Sequence, residues 1–237
     1  KKSKPININP IEIFRRTPKP KGVNDLYSSQ SEVLSSWFDS RENPDTIIKL
    51  HTGGGKTMVG LLIAQSTMNE LNRPVLYLTP NNQLVKQTIA KAKELGSKAV
   101  EYIKGSSLPD EFINGQAVMI ANYYTLFNGR SKFGIQGSRD IQEVAAIIFD
   151  DAHAALPVVR DCFSLDISRQ NESEAYSEIC TLFADDFKKI NKEGTFSDVI
   201  SGEENIVLDV PYWAWYDKKT IVNTIIKKYE CANSISW

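Results

Sequence analysis

Cysteine, histidine and long apolar runs are all scarce in this sequence. The three cysteines, Cys162, Cys180 and Cys231, lie far apart, are odd in number and form no CxxC pair. That argues against a zinc ligand set or a redox dithiol and suits inert thiols in a reducing cytoplasm. No apolar run approaches the ~18 residues of a membrane span, and the basic start "KKSKPININP" lacks the apolar stretch of a secretory signal. The expectation is a cytoplasmic protein without a membrane partner. An excess of one charge is also missing, since 28 Lys and Arg face 29 Asp and Glu for a net charge of -1. Without a basic field over the whole molecule, any contact with nucleic acid has to be local.

What is present is enough apolar material for a substantial core: 237 residues, 41% of them hydrophobic, in one large domain or two small ones. The first residue is Lys rather than Met, so the ends need not be natural domain ends. Residues 1–24 are rich in Pro, Lys and Asn and read as an extended arm. "NDLYSSQSEVLSSWFDS" then spaces Leu26, Val33, Leu34, Trp37 and Phe38 along one helical face, with Asp25 or Ser28 as its cap. A repeating order follows. Strand "TIIKL" leads through a Gly-rich turn into a helix from Lys56 to about Glu70, then strand "VLYLT", a helix from Asn82 to Leu95, and strands "AVEYI", "AVMIA" and "AAIIF". Short apolar runs alternating with helices predict an α/β fold with a mostly parallel sheet flanked by helices, whose ligands sit at the carboxyl ends of the strands. The stretch 128–140 is polar and Gly-rich and reads as a surface loop.

Beyond "FDDAHAALP" the pattern turns helical. Residues 171–190 form an amphipathic helix, 191–205 a polar connection, and "YDKKTIVNTIIKKYECA" a second helix with a basic end. Lys227 and Lys228 there could touch phosphates, but a solvated helix end favoured by the macrodipole is the simpler reading. Trp213, Trp215 and Tyr216 either stack on bases or pack this appendage together, and packing is the favoured role.

The chemistry concentrates in two places. "HTGGGKT" joins an apolar run to a helix start, where Gly53, Gly54 and Gly55 remove side chains that would block a phosphate. Lys56 is then placed for the β and γ phosphates and Thr57 for Mg²⁺. The full GxxxxGK[ST] pattern needs glycine at position 50, which is Leu50 here. By itself the stretch is also compatible with a flexible turn. Downstream, "AAIIFDDAH" ends an apolar strand in two carboxylates: Asp150 as metal partner and Asp151 as base or water-orienting group. A pair that merely solubilises a strand end is the plainer alternative, but its place after the GKT is the order a nucleotide-binding fold demands.

In this order "HTGGGKT", "LTPNNQLVKQ", "VMIANYYTLF" and "FDDAH" resemble motifs I, Ia, the nucleic-acid-facing segment after it, and motif II of superfamily-2 helicase-like ATPases, the DEAD/DEAH-box group. The resemblance spans residues 26–153. It implies a RecA-like P-loop domain over 25–165, with 166–237 a mainly helical appendage of the same domain. It implies ATP and Mg²⁺ as cofactors, held by Gln30, Thr52, Gly53, Gly54, Gly55, Lys56 and Thr57, with Thr57 and Asp150 toward the metal. Lys56, Asp150, Asp151 and His153 become the expected catalytic set. Gln30 is expected at the adenine edge, and His153 in coupling to the rest of the motor, or simply hydrogen-bonded at a helix start; His51 carries no such expectation. Pro80, Asn81, Asn82, Gln83 and Asn122 are expected along a DNA or RNA backbone. Three features depart from the family pattern. Asp151 stands where glutamate is usual and is one methylene shorter, which predicts slow hydrolysis. Asn81 and Asn82 replace a basic residue. There is no motif III, second RecA-like domain or arginine finger in the sequence. The expected activity is that of the first motor domain of a helicase or translocase, weak or inactive alone and needing a second RecA-like domain to complete its site. The alternatives are a motor subunit of a restriction or defence system, or a binding module with a vestigial nucleotide pocket.

Overall fold

In a computed structural model, which describes residues 6–19, 25–129, 131–134, 141–202 and 206–231, the chain forms two compact units, Lys1–Ser164 and Leu165–Trp237. The first is built on four strands, β1 (Val75–Thr79), β2 (Ala99–Glu101), β3 (Val118–Asn122) and β4 (Ala146–Phe149). All pairings are parallel and the spatial order is β2-β3-β1-β4. β1 is flanked on both sides, with Tyr77 opposite Ile120 of β3 and Ile148 of β4. A strand covered on both faces has no polar side to show, and β1 is buried at every position. The α/β reading with a parallel sheet therefore holds.

Alternation along the strands divides the core. Val75, Tyr77, Val118 and Ile120 face one layer, which contains α1 (Pro10–Arg16), α2 (Ser28–Asp39), α3 (Lys56–Leu71) and α4 (Asn82–Glu94). Leu76, Leu78, Met119 and Ala121 face the other, with α5 (Asp110–Ile113), α6 (Tyr123–Leu126) and α7 (Ala152–Cys162). α3 is apolar around most of its circumference and buried accordingly. Its Gly60 lies so close to β1 that a Cβ there would come within 2.9 Å of the Tyr77 ring.

Two stretches differ from the sequence reading. "TIIKL" is not a strand: residues 45–50 have no assigned secondary structure, and Ile47 is 98% exposed. A strand exists only where a neighbour takes up its backbone hydrogen bonds, and among the described residues β1 to β4 pair only with one another. Leu50 nevertheless packs against the core. Within the arm, Pro10–Arg16 is helical rather than extended. Asn9 caps it by accepting from the amides of Ile11 and Glu12, Pro10 suits its first turn, and Ile13 and Phe14 are buried. Asn69 of α3 donates to the Asn7 carbonyl at 2.7 Å and fastens the approach.

The second unit contains α8 (Ser173–Lys189), α9 (Glu193–Ser201) and α10 (Tyr212–Cys231). α9 falls inside the segment read as a polar connection, where Phe196 stacks on Phe187 at 4.5 Å between ring centroids. α10 begins at Tyr212, so "YWAW" is its first turn. There Ala214 is buried, Trp213 joins the same apolar cluster, and Trp215 lies against Phe183 at 4.9 Å, while Tyr216 stays exposed. Asp186 is buried between Lys218 and Lys189.

Candidate nucleotide site and its neighbours

From β1 the chain moves outward to β2, returns to β3 beside β1, and then crosses to β4 on the far side of β1. The strand order therefore reverses at β1, and parallel sheets open a crevice at the carboxyl ends of strands flanking such a switch point. Thr79 ends β1 on that edge, Asn122 ends β3 and Asp150 follows β4. The Gly-rich turn enters α3 next to it.

Each of the three glycines has its own reason. Gly53 has φ +82° with nothing near its missing Cβ, so its requirement is conformational. At Gly54 a Cβ would come within 3.0 Å of the His51 carbonyl. Gly55 combines both constraints, with φ +76° and only 2.4 Å from a built Cβ to Gln30 Nε2. Gln30 is 1% exposed; its Nε2 donates to the Gly54 carbonyl at 2.8 Å, and its Oε1 accepts from the Tyr27 amide at 3.0 Å. It acts as a brace under the loop. α3 begins without a side-chain cap and with no acidic residue in its first turn. An uncapped amide end behind a turn without side chains suits an anion, so the residues present fit a nucleotide's phosphates. Thr52, Gly53 and Lys56 are exposed at this mouth and Thr57 is half-buried.

The acidic pair lies within electrostatic reach of the loop. The Asp150 amide donates to Leu78 O at 2.9 Å, which registers the end of β4 against β1. Burial pushes the Asp150 carboxyl above the usual carboxylate range, the Asp151 carboxylate adds to this, and Tyr77 and Lys56 oppose it. Asp151 takes a left-handed conformation, φ 60°, at the start of α7. The buried Tyr123 hydroxyl donates to the carbonyls of both Asp150 and Asp151. His153 is fully exposed, with Nδ1 3.9 Å from Asp151 Oδ1.

Tyr77 connects the two halves. Its phenol hydrogen-bonds with both the Asp150 carboxylate and the Thr57 hydroxyl. Neither Tyr77 nor Tyr123 is indicated by the sequence motifs. The only hint is Gly60, because a glycine in a helix interior marks a close approach.

The asparagines expected along a nucleic acid gather at the ends of β1 and β3. Asn81 Oδ1 caps α4 by accepting from the Leu84 amide at 3.0 Å. Asn122 Oδ1 caps α6 by accepting from the Thr125 amide at 3.1 Å, and its Nδ2 donates to Asn82 Oδ1 at 2.6 Å. Asn81, Asn82 and Gln83 are exposed and Pro80 half-buried. Among the described residues, no group of His, Cys, Asp or Glu forms a separate metal cluster, and no helix is long and apolar enough to cross a membrane.

A parallel sheet with a Gly-rich turn and an acidic pair at its switch point defines the first RecA-like domain of a superfamily-2 helicase-like protein. The chain belongs to the family described as type III restriction enzyme, res subunit, which matches residues 24–191. It is similar to the ATP-dependent DNA helicase Hel308 of Pyrococcus horikoshii, at 26% identity over 148 residues, 60% of this chain and 19% of the relative. The Hel308 of Pyrococcus abyssi is 23% identical over 62% of this chain and 20% of its own length. The Hel308 of Thermococcus kodakarensis is 23% identical over 60% of this chain and 12% of its own length. The chain thus spans a fifth or less of the curated relatives it matches. No solved structure matches it.

Proposed function

We propose that this chain is the first motor domain of an ATP-dependent nucleic-acid helicase or translocase. The observation that carries this reading is the approach of Thr57 and Lys56, at the start of α3, to Asp150 at the end of β4. In this reading the turn amides and Lys56 hold the β and γ phosphates, and the Thr57 hydroxyl and Asp150 carboxylate face Mg²⁺. When bound there, Mg²⁺ would neutralise phosphate charge. Asp151 orients the attacking water and accepts its proton, and the imidazole of His153 stands beside that carboxylate. Gln30 supports the loop from beneath, leaving one Nε2 hydrogen for the adenine edge that the family resemblance assigns to it. Asn81, Asn82, Gln83 and Asn122, with Pro80, offer amides to a nucleic-acid backbone without adding charge.

Hydrolysis by this chain alone is slow, because Asp151 is shorter than glutamate and no second RecA-like domain supplies arginines to the transition state. The much greater length of the relatives supports such a domain in the full protein. The family description favours one particular setting, the motor subunit of a restriction system. Titration with a fluorescent ATP analogue and Mg²⁺ tests the nucleotide site: the wild type binds, and Lys56→Ala weakens binding at least tenfold. Equal binding by the variant sinks the assignment.

A further inference from the structure

We propose that Tyr77 is a positioning residue for the metal end of the nucleotide site, its phenol holding the Thr57 hydroxyl and the Asp150 carboxylate in one arrangement before Mg²⁺ arrives. The inference rests on the nucleotide reading above and goes beyond it.

Thr57 lies in the first turn of α3 and Asp150 just past β4, so no local backbone geometry fixes one against the other. Tyr77 lies in β1, the strand between β3 and β4, and its side chain faces the α3 layer. Its phenol reaches both groups from within the sheet. The ring is 1% exposed and cannot swing away without opening the core. Gly60 completes the arrangement, because a Cβ would come within 2.9 Å of Tyr77 Cε2 and 3.0 Å of its hydroxyl oxygen. The glycine lets α3 lie directly over the ring, and the ring then extends under the first turn of the helix to the carboxylate.

A phenol that donates to one oxygen of a carboxylate fixes its rotation and leaves the other oxygen for a cation. Accepting from Thr57 would turn the hydroxyl proton away from the metal side, so that a lone pair faces the cation. This is the role that outer hydrogen-bond partners commonly play around a metal. The residue touches neither nucleotide nor metal and acts only through Thr57 and Asp150.

The test compares the affinity of the 237-residue chain for a fluorescent ATP analogue in Mg²⁺ and in EDTA. Tyr77→Phe keeps the ring and removes only the hydroxyl. The expected result is a loss of about tenfold in the Mg²⁺ enhancement of binding, with affinity in EDTA within about twofold of wild type. Gly60→Ala retains the hydroxyl but displaces the ring, and is expected to reduce the same enhancement. An unchanged enhancement in Tyr77→Phe overturns the proposal, as does an equal fall in both conditions, which would mean general damage to the loop. If the wild type binds no analogue in either condition, the nucleotide reading itself falls and takes this inference with it.

Discussion

The Tyr123 hydroxyl donates to the Asp151 carbonyl at 2.9 Å, and by that bond the end of β3 holds the turn that carries the acidic pair. Asp151 needs the help, since a non-glycine residue at φ 60° pays a conformational cost that its surroundings must offset. Tyr123→Phe keeps the buried ring but leaves the Asp150 and Asp151 carbonyls without that donor. The expected loss is about 1–2 kcal/mol of stability, read by urea denaturation. The amide of Ala154, which donates to Asp151 O, should also exchange faster with solvent. Unchanged stability and exchange would mean that the turn holds itself.

Gln30 leads to a prediction about selectivity. Both ends of its amide are already engaged, with the Tyr27 amide and the Gly54 carbonyl. Gln30→Ala removes the brace and opens space beside Gly55. Affinity for ATP and GTP analogues should therefore fall together, by several-fold, with little change in their ratio. A selective loss of ATP binding would instead assign the remaining Nε2 hydrogen to the adenine edge.

The parallel core was legible because β1, β3 and β4 are short apolar runs whose both-face burial needs no alternation. "TIIKL" has the same composition and fails as a strand, since composition cannot say whether a neighbour is present. Helix α1 was hidden by the prolines and lysines around it; its stability comes from the Asn9 cap and from Phe14 packing on residues far along the chain. α9 was hidden by polar neighbours, although Phe196 had an aromatic partner in α8. At the site, Lys56, Thr57 and Asp150 could be named from spacing, because phosphate and metal chemistry restrict those residue types. Tyr77 and Tyr123 could not. A tyrosine in an apolar strand looks like core until its hydroxyl is seen to reach residues from other elements.

Asp150 should give the nucleotide site a pH dependence. Its carboxyl is held above the ordinary range by burial and then by the Asp151 carboxylate. Burial disfavours the ionised form, while Mg²⁺ requires it. Mg²⁺-dependent affinity should therefore increase with pH through a midpoint above the usual aspartate value of about 3.9. The effect on stability has the opposite sign. With its folded-state pKa raised, the Asp150 contribution is fully present below the unfolded pKa and is lost as pH rises through the folded one. In EDTA, Asp150→Asn should gain in melting temperature relative to wild type as pH rises across that window. Parallel melting curves for the two proteins would show that the carboxylate is not strained by its burial.

Asp186 behaves in the reverse way in the second unit. Its hydrogen bond with Lys218 and the 3.0 Å contact with Lys189 hold the carboxyl below the usual range, against the opposing effect of burial. A depressed folded-state pKa contributes stability above the unfolded value and loses it as pH falls through the folded one. The packing of α8 against α10 should therefore loosen below about pH 4, as followed by the fluorescence of Trp213 and Trp215. Asp186→Ala would leave the Lys218 ammonium beside the Phe183 ring without its carboxylate. The expected cost is about 2 kcal/mol, below the range for a fully buried broken pair because Lys218 keeps some access to water. Asp186→Asn should recover part of that loss at neutral pH, since an amide oxygen still accepts from Lys218, while abolishing the acid transition. If Asp186→Asn instead retained that transition, its origin would lie in another carboxylate of the unit, with Glu178 beside Lys228 and Tyr229 the next to substitute.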